Sequence, residues 1–139
     1  MNGDLLSIAV VAIVFFGVIT LVIAFAKRKR KKPLDIEAFT AKWKDAQKLC
    51  ANKDTWPLAV INADNVLDEA LKKSGYRGKT MGERLVAAQR DLSDNDGVWY
   101  GHKLRNKLVH ESDTKLSQVD VKDALTGIRQ ALRDLGALK

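Results

Sequence analysis

Residues 5–26 run for 22 positions without a charged side chain. At about 1.5 Å of rise per helical residue, such a run reaches across the ~30 Å hydrocarbon layer of a bilayer with slight tilt. It is rich in Val, Ile, Leu and Phe and has no polar face, which excludes an amphipathic surface helix. Ser7 and Thr20 can bond back to helix carbonyls, and Gly17 is tolerated in lipid. A cleaved signal peptide competes, because Ala24-Phe25-Ala26 has the small-x-small form of a cleavage site. Against it, residues 1–4 contain Asp4 and no Lys or Arg, and the run exceeds a signal core of about 7–15 residues. The expectation is therefore a single uncleaved transmembrane helix over residues 5–26.

The charge that follows sets an expected orientation. Lys27, Arg28, Lys29, Arg30, Lys31 and Lys32 form one basic run within a linker over residues 27–34. By the positive-inside rule they belong on the cytoplasmic side of a cell membrane, with residues 1–4 outside. Each adds about 1 kcal/mol of attraction to anionic membrane lipid. These six are a quarter of the 24 Lys and Arg; removing them leaves 18 against 16 Asp and Glu from Pro33 onward. The net charge of +7 thus belongs mostly to the run, and the rest of the chain lacks the basic excess of a typical nucleic-acid binder. The single cysteine, Cys50, excludes an internal disulfide, fits a reducing compartment and reads as a small core residue on a helix.

Residues 35–139 read as an all-α domain, a four- to five-helix antiparallel bundle with no period-2 strand pattern. Ile36, Phe39, Trp43, Ala46 and Cys50 make the apolar stripe of a helix over residues 35–52. Pro57 opens a second helix to residue 74, with Val60, Ala63, Leu67, Ala70 and Leu71 inward and Gly75 as its stop. Thr80 and Glu83 form a capping-box pattern before a third helix over 81–92. Residues 93–97 carry turn chemistry, and a fourth helix covers 98–110. Ser117 caps the last helix, which Gly136 ends.

The fourth helix carries the chemistry. His102, Arg105, Asn106, Val109 and His110 share one broad face at about 100° per residue, opposite Gly101, Leu104 and Leu108. A guanidinium, a carboxamide and two imidazoles on one face suit phosphate binding and proton transfer. Arg105-Asn106-Lys107-Leu108-Val109-His110 resembles the R-N-x-x-x-H signature of the HEPN family, and the helical reading of residues 35–138 is compatible with that family's bundle. The resemblance implies a metal-independent ribonuclease working as a homodimer on RNA, or a binding relative that has lost activity. It assigns Arg105 and His110 as catalytic and Asn106 as supporting. Arg105 and His110 lie about 140° apart on an ideal helix, so either the helix ends at His110 and the ring swings back, or two chains combine.

His102, one turn before Asn106, is a further supporting candidate, and its structural alternative is a half-exposed polar contact. Asp64, Asn65 and Asp68 lie on one side of the second helix, where an acid can orient His110 or pair with Arg105; the alternative is a solvated surface. Arg105 has an ordinary alternative as an ion pair, and His110 as a helix end beside Glu111. Trp43, Trp56 and Trp99 read as packing residues. No glycine-rich phosphate loop, dinucleotide fingerprint or nucleophile elbow is present, and one Cys with two His makes a poor zinc site, so no cofactor or metal is expected. The competing function is a non-enzymatic, membrane-tethered module whose bundle docks a protein.

Overall fold

A computed structural model describes the backbone of residues 2–26 and 33–139, with side chains for 7–21 and 33–139. It divides into two compact units, Met1–Lys31 and Lys32–Lys139. The basic run Lys27–Lys32 lies outside the described residues.

The first unit holds one helix, α1 (Asn2–Ala26). Thr20 donates its hydroxyl to the carbonyls of Phe16 and Gly17, as a hydroxyl on an apolar helix is expected to do. The expected transmembrane span is corrected here: among the described residues, no helix is long and apolar enough to cross a membrane. The single-pass architecture and the membrane localisation with its outside N-terminus, both read from the sequence, fall with it.

The second unit is helical throughout its regular elements: α2 (Ile36–Lys48), α3 (Trp56–Lys73), α4 (Met81–Ala88), α5 (Asn95–His110) and α6 (Gln118–Asp134). Its core gathers Phe39 and Trp43 from α2, Leu67 and Leu71 from α3, Leu85 from α4, Val98 from α5, and Ile128 and Leu132 from α6. A smaller cluster around Val60, Val121 and Ala124 draws in Leu104 and Leu108. The all-α bundle agrees with the sequence, and the boundaries shift for local reasons. The first predicted helix stops at Lys48 and breaks into two 3-10 turns, Leu49–Ala51 and Lys53–Thr55. Asn52 caps the second turn through its side chain, and the Trp56 indole donates to the Cys50 carbonyl. Cys50 therefore sits in a turn, partly buried, rather than on a helix. At the start of α5, Asp94 accepts from the Gly97 amide, which turns Asn95, Asp96 and Gly97 into the first helical turn instead of a loop.

Two caps behave differently from each other. Ser117 and Asp120 bond reciprocally at the start of α6, a complete capping box. Thr80 accepts from the Glu83 amide, but Glu83 reaches past it to the Lys79 amide at 2.6 Å. That bond draws the 78–80 loop onto α4, where a Cβ at Gly78 would sit 2.8 Å from the Arg84 nitrogen.

The pair α5–α6 makes the most extensive helix contact and brings Gly127 against the backbone of Gly97. A Cβ on Gly127 would fall 2.2 Å from the carbonyl of Gly97, an overlap with backbone that no rotamer change relieves. Gly127→Ala is therefore expected to lower the unfolding free energy by about 3 kcal/mol, the upper range for overpacking. Urea denaturation followed by circular dichroism measures this.

Candidate functional site

The middle of α5 meets α3 through a buried polar cluster. Asp64 of α3 is 2% exposed and lies among Val60, Ala63 and Leu67 on the inward stripe of its helix. His102 of α5, 8% exposed, points Nδ1 at both carboxylate oxygens, 3.1 Å from Oδ1 and 3.3 Å from Oδ2. The Arg105 Nε lies 3.6 Å from Asp64 Oδ2, an ion pair rather than a hydrogen bond. Asn106 then bridges the two neighbours: Arg105 Nη1 donates to its Oδ1 at 3.1 Å, and its Nδ2 lies 3.3 Å from His102 Nε2. The His102 ring also meets Trp99 edge-on, with centroids 5.9 Å apart.

A second pair stands beside the first. Arg84 of α4, 6% exposed, donates from Nε to Asp68 Oδ1 at 2.8 Å and from Nη1 to the Gly78 carbonyl at 2.6 Å. Lys72 closes on the other Asp68 oxygen at 2.6 Å. The two acids respond in opposite senses. Burial pushes the Asp64 carboxyl above its ordinary value, and the His102 hydrogen bond and Arg105 charge offset only part of that. Burial also raises Asp68, but the hydrogen bonds of Lys72 and Arg84 outweigh it and leave the carboxyl below the ordinary value.

Both pairs form the floor of an open cleft of about 660 Å³. Its rim brings Lys79 from the α3–α4 loop, Lys103 and His110 from α5, and Gly82 from α4. Arg105 and Asn106 are half-buried in it, while His110 is exposed and is the last residue of α5. No hydrogen bond or ion pair engages the side chains of Lys79, Lys103 or His110 among the described residues. Four Lys and Arg thus face two carboxylates, a local excess of positive charge in a domain that is otherwise close to balance. Among the described residues no cluster of His, Cys, Asp and Glu could hold a metal ion.

The predicted site residues come together in one cleft, with changed roles for some. Arg105, Asn106, His102 and His110 share it, and so do Asp64 and Asp68. Asp64 pairs with His102 and Arg105, not with His110. Asp68 is taken up by Arg84 and Lys72. His102 is buried rather than half-exposed, because α5 turns Val98, Gly101 and His102 inward. Arg84, Lys79 and Lys103 were not singled out from the sequence. Arg84 had a signal, since Met81, Arg84, Leu85 and Ala88 occupy one inward stripe of α4. The lysines had none that separates them from other surface lysines.

No family model, no curated protein and no solved structure matches this chain.

The Arg84–Asp68 pair generates a test. Removing one partner of a largely buried ion pair costs about 3 kcal/mol, so Arg84→Ala is expected to destabilise by that amount near neutral pH. The acid dependence follows from the sign of the Asp68 shift. Its folded value lies below the ordinary 3.8, so its stabilisation is complete above that value and is lost as pH falls through the folded value. Asp64 has the opposite sign: what it contributes below 3.8 is lost as pH climbs through its raised value. The drop in urea midpoint between about pH 4 and about pH 2 is therefore expected to be smaller in Asp68→Asn than in the parent chain.

Proposed function

We propose that the cleft binds RNA and that the chain is a HEPN-like, metal-independent endoribonuclease acting as a homodimer. The observation that carries this reading is the shared cleft: Arg105 and the exposed, unpartnered His110 line the same open space, with Lys79 and Lys103 on its rim. The R-N-x-x-x-H spacing at Arg105, Asn106 and His110 supports the same reading.

In the proposed reaction the ribose 2′-oxygen attacks the adjacent phosphorus and its proton passes to a base. The bond to the 5′-oxygen breaks, and an acid protonates that oxygen, leaving a 2′,3′-cyclic phosphate and a free 5′-hydroxyl. Negative charge grows on the phosphate oxygens in between. Arg105 offers guanidinium N–H groups to those oxygens. His110 exchanges protons as base or acid. One chain supplies only one such group, because both ring nitrogens of His102 are already engaged by Asp64 and Asn106. A base and an acid then require a second His110, which a two-fold dimer provides in one composite cleft.

The test is cleavage of a labelled RNA by the full chain in excess chelator. His110→Ala is expected to lower kcat at least about 100-fold and Arg105→Ala by a similar factor. Equal rates in all three proteins would remove the catalytic assignment. RNA binding without cleavage would leave an RNA-binding relative.

A further inference from the structure

The cluster of Asp64, His102, Asn106 and Arg105 is a hydrogen-bond chain in which each member restricts the next. A guanidinium only donates, so Arg105 Nη1 requires the Asn106 oxygen. That choice turns the Asn106 amide nitrogen, also a donor, toward His102 Nε2. Nε2 must then accept, which leaves the ring proton on Nδ1. There it meets the Asp64 carboxylate, whose second oxygen faces the Arg105 Nε. The direction is fixed at both ends, by a cation that cannot accept and an anion that cannot donate.

We propose that Asp64, His102 and Asn106 are positioning residues, and that a neutral His102 protonated on Nδ1 locks the Arg105 guanidinium in the orientation that meets phosphate. His102 is then not a proton-transfer group, although it is the more buried histidine of the motif helix. The chain also explains how Arg105 keeps a fixed pose at the edge of an open cleft: two of its nitrogens, Nε and Nη1, face groups set by α3 and by its own helix, while Nη2 has no partner among the described residues. The phosphate role rests on the function proposed above; the locked guanidinium does not.

The experiment is nitrogen-15 NMR on the full chain. Two-bond correlations in the imidazole rings are expected to show His102 as a single form, with Nδ1 protonated and Nε2 bare. The Arg105 Nε–H is expected as a slowly exchanging resonance. In Asp64→Asn the amide offers both a donor and an acceptor to Nδ1, so His102 should become a mixture of tautomers and the Arg105 resonance should broaden. Asn106→Ala is a milder, half-buried change. It should broaden the Arg105 resonance while leaving His102 protonated on Nδ1, and RNA cleavage or binding should weaken about tenfold, the scale of one charge-assisted hydrogen bond. A wild-type His102 protonated on Nε2, or an Arg105 resonance unmoved in both variants, overturns the proposal. A parent chain that neither cuts nor binds RNA but passes the NMR test overturns the ribonuclease reading alone.

Discussion

Asp64 places an almost fully buried carboxylate at the α3–α5 contact, and that contact is built around it. An unpaired charge in such a place costs several kcal/mol, so donors must come to it from the facing helix. His102 supplies a hydrogen bond and Arg105 an ion pair, from positions three residues apart on α5. Their spacing fixes both the rotation of α5 about its axis and its height along α3. A sliding of one turn would leave the acid facing Val98 or Val109.

The same logic repeats one layer away. Arg84 enters the buried stripe of α4 and takes Asp68 from α3, while its other arm holds the Gly78 carbonyl. Helix α4 is only eight residues long. Met81, Leu85 and Ala88 seat it in the core, and this ion pair and the Glu83 bond to the Lys79 amide hold its polar side. The cleft is therefore a gap between two polar seams, α3–α5 and α3–α4, and its rim lysines project from elements those seams hold.

The helices of the second unit were legible because Phe39, Trp43, Leu67, Leu71, Ile128 and Leu132 recur at helical spacing and were all buried. The glycine stops were legible for a steric reason: Gly75 and Gly136 adopt φ of 89° and 76°, which other residues avoid. The polar seams were only half legible. Asp64 follows Val60 by four and Arg84 follows Met81 by three, so both fall on inward stripes, yet their charge argues for the surface. Only the facing helix resolves that conflict, and no local pattern says which helices face each other. The α5 start was misjudged because Asn95-Asp96-Gly97 reads as a turn until Asp94 is seen to cap it. At residues 5–26 the uncharged composition was plain in the sequence. The span it suggested did not hold, since among the described residues no helix is long and apolar enough to cross a membrane.

Near-neutral charge in residues 33–139 argued against an anionic ligand, but net charge is the wrong quantity for a cleft with a buried floor. Asp64 and Asp68 are counted against the cations in such a sum, yet their oxygens are turned inward and largely spent on Arg84, Lys72, His102 and Arg105. An incoming phosphate would meet the outward side of those pairs. There it faces Lys79, Lys103 and the free edge of Arg105, with His110 at the helix end. The acids then act as anchors that hold guanidinium groups in place, and pre-placed donors lose less entropy on binding than mobile ones. In the proposed reading an RNA cleft on a small bundle uses two guanidinium groups held by buried acids, with Lys79 and Lys103 at the rim, rather than a broad basic surface.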